Sequence, residues 1–234
     1  IVVTINYRLG PLGWFTHPAI QDLQDGIDKA SNFGTLDIIS ALEWVNNNIN
    51  LFGGDPKNIT IFGESAGGHN VLSLLVSKKA KGLFHKAISM SGYTESISLA
   101  DAYKQEYKSP TSNYSSWNVV NKIINLELGE NKKDNYSNKE LRNLLHSLSG
   151  KEFYRYYADR ETYEELPLLT NDGFVIPIIG LKEALSKKEH VNNVPTIIGS
   201  NRDEVKIWLA FSEYFVTVDY SPTSSLFNLP KATL

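Results

Sequence analysis

The sequence predicts an α/β fold with a mainly parallel sheet. Its strand-like runs are short and continuously apolar, the pattern of strands covered on both faces. They also alternate with amphipathic helical runs, as strand–helix–strand units require. The strand candidates are Ile1–Asn6, Asn58–Gly63, Lys86–Ser91 and Val194–Ser200. In Leu36–Ile49 the apolar positions Ile38, Ile39, Leu42, Val45 and Ile49 share one helical face, with Thr35 as N-cap. Ala66–Val76 reads as a second helix and Leu181–Ser186 as a third. Residues 96–166 differ in kind, being rich in Tyr, Asn, Ser and Lys. They carry helical patterns over Trp117–Leu128 and Asn138–Leu148 and no strand pattern. They read as a helical excursion from one domain spanning 1–234, serving either as a wall over a site or as a surface insertion without chemistry.

The 234 residues are 41% hydrophobic and 21% charged, enough for a sizeable core and against wholesale disorder. The 23 basic residues are outnumbered by 26 acidic ones, which argues against a basic face for nucleic acid. No apolar run approaches the roughly 18–20 residues that span a bilayer. Without cysteine there is no disulfide, thiolate zinc site or cysteine nucleophile. The chain opens inside a β-branched run without an initiator Met and reads as an internal fragment, so any signal peptide would lie outside it. Neither compartment nor oligomeric state is legible in these residues.

The chemistry-bearing segment is Gly63-Glu64-Ser65-Ala66-Gly67, which fits the G-x-S-x-G nucleophile elbow. A serine on a tight strand-to-helix turn is forced into a strained backbone and lifted above the sheet. Side chains two residues either side would collide with neighbouring chain, hence the glycines. The turn also aims the Ala66 N–H, at the start of a helix, toward a developing oxyanion. An apolar strand ending at Phe62 and an amphipathic helix starting at Ala66 supply the required context. The bland alternative is an ordinary glycine-rich turn.

With Phe52-Gly53-Gly54-Asp55-Pro56 ahead of Ile59–Gly68, the sequence resembles the type-B carboxylesterase and cholinesterase family. Asn6–Gly10, Gly82–Ile88 and Asp203-Glu204 match further motifs in order. The resemblance implies an α/β-hydrolase fold and a Ser-Glu-His triad, with Ser65 as nucleophile, Ala66 as oxyanion donor and Glu204 as acid. Glu204 lies just past the carboxyl end of an apolar strand, where open α/β sheets place their sites. Alone it would read as a solvated glutamate, and Val205 stands where the family usually has glycine. Glu64 matches a pocket-facing position, or else is solvated, while Arg8 and Asp37 match a buried ion pair.

In this fold the histidine follows the acid. Yet His17, His69, His85, His146 and His190 all precede Glu204. His85 matches a structural position, His69 reads as packing along its helix, and the other three read as solvated. The triad histidine is therefore expected downstream of Leu234 and the glycine-rich oxyanion loop upstream of Ile1. The resemblance implies a carboxylic ester hydrolase acting on small-molecule esters without metal or organic cofactor, inactive as this fragment alone. Hydrolysis of amides, carbamates or lactones by the same groups is an alternative. So is a non-catalytic adhesion relative, against which the retained Ser65 and Glu204 speak.

Overall fold

In the computed structural model, the structure describes residues 1–104, 115–129, 136–157 and 169–204. The first part of the chain forms α1 (Gly10–Trp14), α2 (Pro18–Gln21), α3 (Phe33–Asn48), β1 (Thr60–Glu64), α4 (Ala66–Val76) and β2 (Lys86–Met90). Then follow β3 (Ile97–Ser98), α5 (Leu99–Ala102), α6 (Trp117–Leu128), α7 (Asn138–Ser147) and α8 (Gly150–Arg155). The described part closes with β4 (Thr170–Asn171), α9 (Leu181–Leu185) and β5 (Thr196–Gly199).

The main sheet has the order β1-β2-β5, with every pairing parallel. Thr60 faces Lys86, and Ala87 faces Thr196, so all three strands end at one edge. Helix α4 covers one face of β1 and β2. Its Val71, Leu72, Leu74, Leu75 and Val76 are buried with Ile61 and Ala87 in a core that α3 joins through Ile38, Ile39 and Leu42. The other face is open among the described residues, where Phe62 and Ile197, matched through Ile88, are exposed. Among the described residues, helices cover one of the two faces.

Ile1–Asn6 does not form the predicted strand. A strand needs a ladder partner, and among the described residues these have none. The segment is extended and mostly exposed, and it faces β1 across an apolar groove of about 750 Å³ floored by α3 and α4. The free edge of β1 lines that groove. Helix α3 begins three residues earlier than expected, with Asn32 rather than Thr35 at the N-cap position and no side-chain cap. The Asn32 amide is used elsewhere: it donates to the Thr170 carbonyl at 2.8 Å and accepts the Thr170 N–H at 2.9 Å. Thr35 is buried and accepts a hydrogen bond from the Trp14 indole.

The segment read as a helical excursion holds one strand the sequence did not disclose. β3 pairs in parallel with β4 across some seventy residues, Ile97 facing Thr170. Between them, α6, α7 and α8 build a second apolar cluster around Val120, Ile123, Ile124 and Leu141. Each of α7 and α8 opens on a Ser/Glu capping box, Ser137 with Glu140 and Ser149 with Glu152. No described helix is long and apolar enough to cross a membrane.

This second cluster also claims a histidine expected to be solvated. His17 is fully buried, stacked on Phe15 and 4.4 Å from the Trp117 ring. Its Nδ1 caps α2 by accepting the Ala19 N–H at 3.0 Å, which leaves the proton on Nε2. Burial pushes its pKa down to about 3. The unfolded chain takes up a proton near pH 6.5, so between there and about 3 it binds more protons than the folded protein does. Stability should therefore fall as pH drops through that window. Thermal unfolding from pH 7 to 4 should show a shallower decline for His17→Asn, which keeps a capping acceptor and loses the titration.

Candidate active site

The turn between β1 and α4 carries Ser65 at φ 55° and ψ −116°, a left-handed conformation that costs a non-glycine residue on the order of 1–3 kcal/mol. Three features hold it there. The Ser65 N–H donates to the Met90 carbonyl at 2.9 Å, carrying the β1–β2 ladder one residue past the strand. The Ser65 carbonyl accepts the His69 N–H at 2.9 Å and starts the helix. Gly63 lies against Gly67 so closely that a Cβ on Gly63 would sit 2.4 Å from the Gly67 carbonyl carbon and oxygen. Ser65 occupies the N-cap position without capping the helix through its side chain. Its side chain is exposed, as are Glu64 and Ala66. The Ala66 N–H is in the first turn of α4, where helix amides have no internal partner and face anions favourably.

Gly67 departs from the expected reason for the motif. A Cβ there meets nothing within 4 Å among the described residues, and the residue borders the apolar groove. The two motif glycines should therefore respond differently. Gly63→Ala forces backbone against backbone and should lower stability by about 1–3 kcal/mol. Gly67→Ala should leave the melting temperature unchanged or raise it. Thermal unfolding of the two variants distinguishes them.

Glu204 follows the carboxyl end of β5 just as Ser65 follows that of β1, so both stand at one edge of the parallel sheet. Glu204 Oε1 accepts hydrogen bonds from the Asn201 N–H at 2.7 Å and from the Ser91 hydroxyl. These two donors, Ser91 first, hold its carboxyl below the usual carboxylate range. Val205 lies outside the described residues.

Ser91 is the residue sequence reasoning missed. It follows β2 immediately, has φ 49°, and donates its N–H to the Gly199 carbonyl at 2.7 Å. The signal was positional. In a parallel sheet the residue just after each strand arrives at the same edge, and Ser91 stands between Ser65 and Glu204 in that order.

The remaining candidates fall out as follows. Glu64 is exposed beside Ser65. Arg8 and Asp37 do pair, with Arg8 Nη2 and Nε at 2.7 and 2.8 Å from the two carboxylate oxygens and the Arg8 backbone N–H at 3.0 Å. The pair is not buried as expected, the side chains being 52% and 26% exposed, because Arg8 lies on an extended surface segment. Loss of one partner should then cost about 1 kcal/mol rather than the several of a buried pair. His85 Nδ1 accepts the Ile59 N–H at 3.3 Å and ties the entries of β1 and β2 together. His146 is exposed, whereas His190 is half-buried with Nδ1 unpartnered, not solvated as expected. His69 is buried in α4. Among the described residues no group of His, Asp and Glu could hold a metal ion.

A carboxylate whose folded pKa lies below its unfolded value stabilises above the ordinary carboxylate range, and that contribution is lost as pH falls through the folded pKa. Ser91→Ala removes the larger cause at Glu204. Carboxyl titration by NMR should show Glu204 moving up toward an ordinary glutamate, with the Asn201 N–H retaining part of the depression. An unchanged titration would mean that the Ser91 contact is not made in solution.

A family model described as "Carboxylesterase family" matches residues 1–224. Among curated proteins, the chain is 47% identical to the para-nitrobenzyl esterase of Bacillus subtilis (strain 168) over 102 residues, 44% of this chain and 20% of that protein. It is 34% identical to carboxylesterase 1D of Rattus norvegicus over 205 residues, 87% of this chain and 34% of that protein. Among solved structures, a PNB esterase superposes with a TM-score of 0.64 at 27% identity, over 87% of this chain and 38% of that one. A thermophilic PNB esterase does so with a TM-score of 0.65 at 26% identity, over 95% of this chain and 39% of that one. The chain thus spans well under half the length of these relatives.

Proposed function

Because the chain belongs to the carboxylesterase family, we propose that it carries the nucleophile, the acid and one oxyanion donor of a serine ester hydrolase. Its fold is accordingly of the α/β-hydrolase class. The observation that carries the reading is the shared edge. Ser65, held at positive φ with its hydroxyl not used as a cap, and Glu204 both follow the carboxyl ends of strands in one parallel sheet.

In this reading the Ser65 hydroxyl attacks the carbonyl carbon of a small-molecule ester. A histidine outside these 234 residues takes the serine proton, and the Ala66 N–H donates to the oxygen that becomes negative. The tetrahedral intermediate collapses, the histidine returns the proton to the leaving alcohol, and an acyl-serine remains. Water, deprotonated by the same histidine, then releases the carboxylic acid and restores Ser65. Glu204 accepts the imidazole Nδ1–H, fixes the tautomer and stabilises the imidazolium. Ser91 and Asn201, by donating to Oε1, keep this carboxylate ionised and hold its direction. Glu64, exposed beside the nucleophile, would in this reading face the substrate pocket and favour a cationic group. The helices within 96–166 are proposed as an excursion of the same domain.

The full-length protein, assayed on a short p-nitrophenyl ester, tests the assignment. Ser65→Ala should lose on the order of 10⁴-fold in kcat, and Glu204→Gln should lose less, because the histidine keeps its place without its countercharge. Wild-type turnover by Ser65→Ala would put the nucleophile elsewhere. Residues 1–234 alone should not be labelled at Ser65 by a fluorophosphonate. Labelling there would make a histidine of this chain the base, with His69 and His190 the first to replace.

A further inference from the structure

His69 is buried and has no part in the chemistry above, yet it lies one turn beyond Ser65 on the same helix. Its backbone is tied at both ends, the N–H to the Ser65 carbonyl and the carbonyl to the Ser73 hydroxyl, each at 2.9 Å. Its ring lies 4.2 Å from the ring of Tyr93, tilted by 40°. Tyr93 belongs to the turn that leaves β2, and that turn begins with Ser91. The same turn is pressed onto α4 by its backbone. A Cβ on Gly92 would sit 2.7 Å from the Gly68 carbonyl carbon, and one on Gly68 would sit 2.9 Å from Gly92 Cα. The Ser89 hydroxyl donates to the Gly68 carbonyl at 3.0 Å, which closes the seam from the strand side. The turn therefore meets α4 through a backbone contact at Gly92 and a ring contact at Tyr93, and through the backbone of Glu95, which hydrogen-bonds His69. Ser91, the residue that holds Glu204, is the next residue along from the first.

We propose that the His69–Tyr93 stack is a positioning device for the acid: it clamps the turn 91–93 onto the helix that carries Ser65, and so fixes the Ser91 hydroxyl, and through it Glu204, relative to the nucleophile. Ser91 needs such a clamp because it sits at φ 49° without a glycine's freedom, a conformation that persists only where the surroundings impose it. A hydrogen-bond donor that swings by about 1 Å no longer holds a carboxylate in line, and misplacements of that size cost rate rather than binding. His69 suits the place in its neutral form. Burial lowers its pKa, opposed in part by the Glu95 backbone and the Glu95 charge, and its Nε2 has no hydrogen-bond partner among the described residues. The groups facing it are thus Tyr93 and Glu95 on the turn, with Tyr7 close to Tyr93 from the N-terminal segment. The proposal rests on the reading of Ser65 as nucleophile and Glu204 as acid.

The test is a mutant cycle in the full-length protein, with kcat and KM on a p-nitrophenyl ester and the melting temperature recorded for each variant. His69→Ala should lower kcat about tenfold or more with KM within about twofold, and His69→Phe, which keeps a ring to stack, should recover most of the loss. Tyr93→Ala, at a position 41% exposed, should reproduce the loss from the other side and carries the test where His69→Ala does not fold. In a Ser91→Ala background, His69→Ala or Tyr93→Ala should add less than about twofold, because the arm through which they act is gone. Unchanged kcat in both single variants, or full additivity with Ser91→Ala, overturns the proposal. Ser65→Ala in parallel separates the two failures: if it is inactive while the His69 and Tyr93 variants are normal, the clamp alone is wrong, and if it is active, the underlying assignment is wrong.

Discussion

The contact on which the site depends is the approach of Gly63 to Gly67 across the turn at Ser65. With no Cβ on Gly63, the backbone of the first helical turn comes within van der Waals reach of the last residues of β1. That approach lets a strand reverse into a helix in the space of one residue, and it drives Ser65 to positive φ. The strain is sustained by bonds that hold on either side, the ladder bond to Met90 and the first helical bond to His69. The hydroxyl is thereby displayed at the sheet edge, and the Ala66 amide comes with it as the next residue in the chain.

The parallel ladder performs the rest of the assembly. Because β1, β2 and β5 run the same way in register, the residues that follow them reach one edge although 26 and 113 positions separate Ser91 from Ser65 and from Glu204. Beyond the strand ends the ladder continues as single bonds, Ser65 to Met90 and Ser91 to Gly199, so each functional turn is tied to its neighbour by backbone. Side chains then refine what backbone has placed, through Ser91 and the Asn201 N–H on Glu204.

Around the junction of the two apolar clusters, buried polar groups join residues remote in sequence. Asn32 exchanges two bonds with Thr170, the hydroxyls of Thr16 and Thr170 meet at 3.0 Å, and the Ser116 hydroxyl donates to the Thr16 carbonyl. Asp172 accepts the Ser31 N–H and three consecutive amides, Phe174 to Ile176. Buried groups of this kind are costly unless paired, so their pairing fixes one arrangement of the two apolar clusters rather than many.

What the sequence determined by itself were the features whose cause is local. Helices α4 and α6 begin and end where their apolar periodicity does, and β1, β2 and β5 fall within two residues of their apolar runs. Ser65 was legible because the elbow needs small residues at fixed spacing, whatever surrounds it. Only the tertiary structure decided the features whose cause is a distant partner. Among the described residues Ile1–Asn6 has the composition of a strand but no ladder to join, and β3 and β4 exist as two-residue strands only because they meet each other. Asn32, suited to capping, is drawn off by Thr170, and His17, expected in water, is enclosed by Phe15 and Trp117. Ser91 carries no motif of its own. Its role arises because hydrogen bonds between strands, which join residues remote in sequence, set which loops share an edge, and no local pattern encodes that neighbour.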